Sequence, residues 1–294
     1  MEAVDTRTLS PRELAQVIGV SESSIKRWVD EGLIGVMRTA GGHRRILVRE
    51  ALRFIRARGL RVLRPDVLGL PELNDLPRAL REGELTGDVL FELLLRGERA
   101  KVRGILANRY LNGATPAEVF DGPLAEALER LGKLWEHGEE GIYAEHMATV
   151  LCIEAVSQIR LLIPPAPADA PVALGGAPEG DPYVLPSMMA AAVLAEAGYA
   201  EVNLGADTPG AAFLHGVEAH RPQLVWVALT SSLDEQKCDE LVAQLLLPLE
   251  ARGVEVLLGG RQAVAHRTRW PASVRTLKSM AELAQYASTR RSPA

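Results

Sequence analysis

Leu14, Val17 and Ile18 recur at helical spacing in "LSPRELAQVIGV", and Ile25, Trp28 and Val29 do the same in "SESSIKRWVDEG". Ser10 and Glu13 form a capping box with Pro11 at the first helical position, Gly19 closes the first helix, and Ser21 is placed to cap the second. Two short helices joined by a glycine turn predict a helix-turn-helix. In "LIGVMRTAGGHRRIL" two runs flank Ala40-Gly41-Gly42, which predicts a hairpin wing. The stretch 61–77, "RVLRPDVLGLPELNDLP", is broken by proline and carries no heptads, so it reads as a linker. Helical periodicity returns in "TGDVLFELLLRGERAKVRGILANRYL", "TPAEVFDGPLAEALERLGKLW" and "AEHMATVLCIEAVSQIRLLI", predicting a four-helix bundle. After "PPAPADAP", short β-rich runs ("VALGGAP", "EVNLGA", "LVWVALTS", "VEVLLGG") alternate with helical ones, the signature of a doubly wound α/β parallel sheet of Rossmann or flavodoxin-like type. The expected chain is thus multidomain: a winged helix-turn-helix over 1–64, a linker over 65–77, a bundle over 78–163, a proline-rich linker over 164–170 and an α/β domain over 171–294.

Composition narrows the class. With 47% hydrophobic and 24% charged residues in 294, a soluble protein with ample core is expected. No apolar run reaches the roughly 20 residues that span a bilayer, so the expectation is a cytoplasmic protein without membrane contact. Cys152 and Cys238 lie far apart with no Cys/His cluster, which points to neither a disulfide framework nor a zinc site. The net charge of −5 conceals an asymmetry: residues 1–64 hold 13 Lys/Arg against 7 Asp/Glu, and the remainder 20 against 31. A head of +6 on a body of −11 places a polyanion at the head only.

The exposed face of the second helix carries Ser23, Ser24, Lys26 and Arg27, suited to a DNA major groove and its phosphates. Arg38, His43, Arg44 and Arg45 crowd the wing turn, where they can lie along a phosphate backbone. "SPRELAQVIGVSESSIKRWVDEGLI" followed by "RTAGGHRRI" resembles the MerR family of winged helix-turn-helix regulators. That resemblance implies a double-stranded DNA operator as partner. The missing long dimerising helix leaves dimer or tetramer formation to the body.

Trp135 ends one predicted helix, and Glu145 and His146 begin the next across Gly138 and Gly141. Taken alone these are an ordinary helix-end aromatic and an ordinary core or surface histidine. Trp, nine residues, then Glu-His resembles the cap of cobalamin-binding bundles in light-responsive regulators, where the Trp lies on the upper face of the corrin ring. Ligands of doubly wound sheets bind at the carboxyl ends of strands. The loops there, "APEGDPYVLP", "LTSSLDE" and "GGRQ", resemble the cobalamin-binding fold, and the order of winged helix, bundle and sheet resembles the cobalamin photoreceptor regulators.

The ligand motif departs from that family. Its first loop reads Asp-x-His-x-x-Gly, with the imidazole on cobalt; here it reads Asp181-Pro182-Tyr183-Val184-Leu185-Pro186. Ala228-Leu229-Thr230 stands in place of the Ser-x-Leu/Thr near the nucleotide tail, and Gly259-Gly260, which lets backbone approach that tail, is present. Above the ring, Glu136 occupies a position that is histidine in some photoreceptors, with His137 one step further. Tyr183, His137 and His146 are therefore the candidate metal ligands. A phenol titrates near 10 and is a poor Co(III) ligand unless ionised, whereas phenolate ligates ferric haem.

Three readings of the cofactor stay open: cobalamin without the histidine ligand, haem or a bilin, or none. The resemblance implies a transcriptional repressor that senses a tetrapyrrole, with or without light, through its oligomeric state. The alternative is a regulator with a vestigial pocket, controlled by a partner protein or by nothing. No Ser/His/Asp, Cys/His or paired-carboxylate constellation suggests an enzyme.

Overall fold

The computed structural model describes residues 7–82, 85–134 and 138–291, in two compact units. The first spans the chain to Thr115 and resumes over Gly122–Pro164; the second comprises Pro116–Asp121 and everything from Pro165 onward.

The first unit opens with strand β1 (Thr8–Leu9), helices α1 (Pro11–Ile18) and α2 (Glu22–Asp30), and strands β2 (Met37–Arg38) and β3 (Arg44–Leu47). The antiparallel order is β1-β3-β2. Ser10 accepts from the Glu13 amide at 3.2 Å and Glu13 from the Ser10 amide at 2.7 Å, so the capping box forms. Gly19 takes the left-handed conformation at φ 71° that ends α1. Helix α3 (Val48–Ala57) closes a core of Leu14, Val17, Ile25, Ile46, Leu52 and Ile55. Trp28 is only half-buried and tilts against Phe54 at 5.1 Å.

The segment 65–77 corrects the expected linker. It winds into two 3-10 turns, Pro65–Leu68 and Pro71–Leu73, and buries Leu68, Leu70, Leu73 and Leu76. Leucines at that spacing satisfy a packed surface as short turns, without the heptads of a long helix. The short α4 (Arg78–Glu82) precedes the four helices of the bundle: α5 (Gly87–Leu95), α6 (Arg99–Leu111) and, after the short α7 (Pro116–Val119) that belongs to the second unit, α8 (Ala125–Gly132) and α9 (Gly138–Leu162). Helix α6 packs on α9 and α5 on α8, burying Leu90, Leu94, Leu106, Tyr110, Leu151 and Val156.

The expected bundle boundary needs the same correction. Residues 116–121 pack with the α/β unit, where Asp121 accepts from the Met280 and Ala281 amides at 2.9 and 2.7 Å and so caps the last helix.

The second unit continues with β4 (Val172–Gly176), α10 (Val184–Glu196), β5 (Ala200–Asn203), α11 (Gly210–His220), β6 (Leu224–Ala228), α12 (Glu235–Leu241), α13 (Leu247–Glu250), β7 (Glu255–Gly259), α14 (Arg261–Ala265), β8 (Arg275–Thr276) and α15 (Met280–Arg291). The sheet is parallel throughout in the order β5-β4-β6-β7-β8. Leu174, Val225, Val227, Val256 and Leu258 face the side covered by α11, α12 and α13. Their neighbours in sequence, among them Gly175, Trp226 and Gly259, therefore face α10 and α15.

Candidate functional site

In the head, the Ser21 hydroxyl accepts from the Ser24 amide at 3.1 Å and lies 2.8 and 2.9 Å from the hydroxyls of Ser23 and Ser24. The two serines expected to face DNA thus also secure the start of α2. Lys26 pairs with Glu22 at 2.8 Å and Arg27 with Glu31 at 3.8 Å along the same helix. Exposed pairs of this kind contribute at most about 0.5 kcal/mol, so a phosphate displaces them at little cost.

The wing residues divide. Arg38 and His43 are exposed at the tip, where Gly42 turns at φ 78°. Arg44 is turned inward and donates to Asp30, the last residue of α2, at 2.7 Å. Arg45 pairs with Glu13 of α1 at 3.6 Å. The Glu13 carboxyl is held below its ordinary value first by the Ser10 amide and then, against the opposing effect of burial, by the Ser10 hydroxyl, Arg45 and Arg7. Arg44 and Arg45 therefore join the wing to both helices of the helix-turn-helix, in addition to carrying charge.

In the bundle, Glu145 and His146 sit side by side on α9. The Glu145 carboxylate accepts from Thr149 at 2.8 Å, and His146 Nδ1 lies 3.0 Å from the Ile142 carbonyl and 2.9 Å from Glu145. The His146 ring is mostly exposed. Trp135, Glu136 and His137 lie outside the described residues.

At the carboxyl edge of the sheet, Asp181 is buried and its carboxylate accepts three backbone amides: Tyr183 at 3.1 Å, Thr230 at 2.6 Å and Ser231 at 2.9 Å. Thr230 returns its carbonyl to Arg261 at 3.0 Å. Gly260, at φ 99°, presses against the Leu229 backbone, whose carbonyl lies where a Cβ would stand. The Gly180 amide donates to Asp207 at 2.7 Å, and the Asp207 amide to the Asp181 carbonyl at 2.9 Å. The Asp181 carboxylate thus holds the Thr230 amide, and Gly260 lies against the backbone of Leu229, the residue before Thr230. Tyr183 precedes α10 and is 41% exposed.

The sequence patterns did not reveal Arg261, Asp207 or a relay that runs from the buried Trp226 to the exposed Asn203. The Trp226 indole donates to Ser187 at 3.1 Å, Ser187 donates to Asn203 at 2.8 Å, and Asn203 also accepts from the Gly205 amide at 3.0 Å. A tryptophan in a central strand beside Gly175 on the neighbouring one was the available signal.

Residues 8–59 match the helix-turn-helix domain family, and residues 87–160 match the B12 binding domain family. The chain joins a helix-turn-helix domain to a B12 binding domain. The HTH-type transcriptional repressor CarA of Myxococcus xanthus is 26% identical over 225 residues, covering 74% of this chain and 75% of that one. The monomethylamine corrinoid protein of Methanosarcina barkeri shares the fold, with a TM-score of 0.50 and 16% identity over 68% of this chain and 96% of its own. The B12 binding domain match covers the bundle, α5 through most of α9, and contains Glu145 and His146.

The sheet edge does not fit a corrinoid ligated by a protein histidine with its nucleotide arm buried. Loops 177–183, 204–209 and 229–234 hold no histidine. Among the described residues, no group of three His, Cys, Asp or Glu is placed to hold a metal ion by itself. The Asp181 carboxylate is taken up by the amides of Tyr183, Thr230 and Ser231, and Gly260 is pressed against the Leu229 backbone.

Proposed function

We propose that this chain is a DNA-binding transcriptional regulator, a repressor, whose grip on a double-stranded operator answers to a tetrapyrrole of the corrinoid class. The observation that carries the reading is a winged helix-turn-helix, its wing held to the second helix by Arg44 and Asp30, in one chain with a B12 binding domain. The repressor activity in the name of the CarA relative supports the sign of regulation. Among the described residues no helix is long and apolar enough to cross a membrane, in keeping with a cytoplasmic regulator. The chain works as a homodimer or tetramer, since two linked heads multiply the phosphate contacts, and the ligand, in the dark or after illumination, alters that assembly.

The test is operator selection from random duplexes, followed by titration with and without adenosylcobalamin, hydroxocobalamin, haemin and biliverdin, in darkness and in light. A specific site whose occupancy changes with a corrinoid is expected; absence of any specific site overturns the reading. Haemin is included because the exposed Tyr183 phenol is a ligand type suited to ferric iron. The engagement of the Asp181 carboxylate by three backbone amides favours a second reading, a regulator controlled by a partner protein, in which occupancy changes with none of the four.

A further inference from the structure

On the sheet face toward α10 and α15, Ala228 of β6 pairs with Gly259 of β7 in the outermost row, and Trp226 with Leu257 in the next row inward. A Cβ added at Gly259 would meet nothing within 4 Å, so the outer row leaves an opening. Two residues of strand advance only roughly 7 Å, which brings an entering group directly to the Trp226 row. There the indole lies across Gly175 of β4, in the space a Cβ at Gly175 would need. It is 3% exposed, and its N–H is bound to a wholly buried Ser187 that is bound in turn to Asn203. The interior of this face is filled by a large ring whose polar atom is satisfied, so opening it would lose both the packing and the hydrogen bond. The opening at Gly259 is a shallow notch.

We infer that Trp226 excludes the nucleotide arm of a corrinoid from the α/β unit, so that the chain takes a corrinoid whose own benzimidazole remains on cobalt, or one lacking the arm. This rests on the proposed corrinoid reading. It follows from two independent features: a filled interior, and loops 177–183, 204–209 and 229–234 without an imidazole to replace the benzimidazole.

The experiment uses the full chain, uniformly labelled with nitrogen-15, loaded with unlabelled cob(II)alamin and examined by electron paramagnetic resonance. One axial nitrogen splits the cobalt lines, into triplets for nitrogen-14 and doublets for nitrogen-15. Triplets are expected, from the benzimidazole of the ligand; doublets, from a protein nitrogen, or the absence of splitting would overturn the inference. In parallel, dicyanocobinamide, which lacks the nucleotide, should bind within about tenfold of cyanocobalamin, a difference below about 1.4 kcal/mol. Cobinamide binding weaker by two orders of magnitude or more would mean that the arm is buried after all. Trp226→Ala should shift this preference toward cobalamin, provided a cooperative melt shows that the variant folds; the wild-type measurements decide the question without it. Retention of neither corrinoid defeats this inference together with the ligand half of the proposed function. Retention with the benzimidazole displaced defeats this inference alone.

Discussion

The guanidinium of Arg56, on the last helix of the head, stacks 3.6 Å from the ring centroid of the buried Tyr110 on bundle helix α6 and donates to the Tyr110 and Ala114 carbonyls at the end of that helix. A cation over an aromatic face and at the negative end of a helix dipole is stabilised twice. The contact joins the helix-turn-helix to the B12 binding domain inside one compact unit. The Leu63 and Arg64 amides add to it by donating to the Val17 carbonyl near the end of α1, at 2.6 and 3.3 Å.

Arg56→Ala should destabilise the first unit by about 2–3 kcal/mol, since it removes the stack and leaves two helix-end carbonyls without their charged donor. Arg56→Lys should recover part of the loss, because an ammonium keeps the charge without the planar fork. Urea denaturation of the three proteins gives the ranking; equal midpoints would show that the contact contributes nothing.

Arg38 and Arg44 should behave differently on DNA. Arg38→Ala removes an exposed wing-tip cation and should reduce the salt slope of binding by about 1. Asp30→Asn removes the charge that Arg44 holds, so its main effect should be lost discrimination between operator and random duplex while the salt slope does not fall. Titrations at several salt concentrations separate the two outcomes, and a reduced slope in Asp30→Asn would reassign Arg44.

Gly259 and Gly260 are neighbours with opposite tolerance. Gly260 sits at φ 99° and ψ 165°, a region open to glycine alone, with a carbonyl where a Cβ would go. Gly260→Ala should cost about 3 kcal/mol or more. Gly259→Ala faces open space and should change stability by less than about 1 kcal/mol. Thermal melts of both variants test the contrast.

Cys152 is fully buried on α9, and burial, with a smaller contribution from Glu145, pushes its thiol up to about 12. At pH 8 the folded protein therefore presents almost no thiolate there, and a disulfide reagent should label Cys152 only as fast as the bundle opens. The unfolded thiol ionises near 8.5, so this group lowers stability as pH rises above about 9, where only the unfolded state loses the proton. Labelling kinetics with Cys238→Ser as background would show it; rapid labelling at native pH would contradict the burial.

The order of winged helix-turn-helix, helical bundle and parallel sheet was legible in the chain because each rests on local signals. Ser10 with Glu13 and Ser21 with Gly19 mark helix ends through bonds a few residues long, and short β-rich runs alternating with helical segments mark the sheet. Asp181 was legible as an acidic residue in the loop after the first parallel strand, yet its partners were not. Its carboxylate is used by Thr230 and Ser231, some fifty residues away, and no pattern reports which donor a carboxylate will meet. For the same reason the pairing of Arg44 with Asp30 was not legible in the chain. The packing of 65–77 on the bundle and of 116–121 on the α/β unit likewise depends on surfaces distant in sequence. The sequence by itself determined the elements, their order and the absence of a ligand histidine in the first loop, since those depend on residue identity and short-range geometry. Only the tertiary structure decided that Trp226 closes the sheet interior over Gly175, because that depends on which strands become neighbours and which side chains are left to share one space.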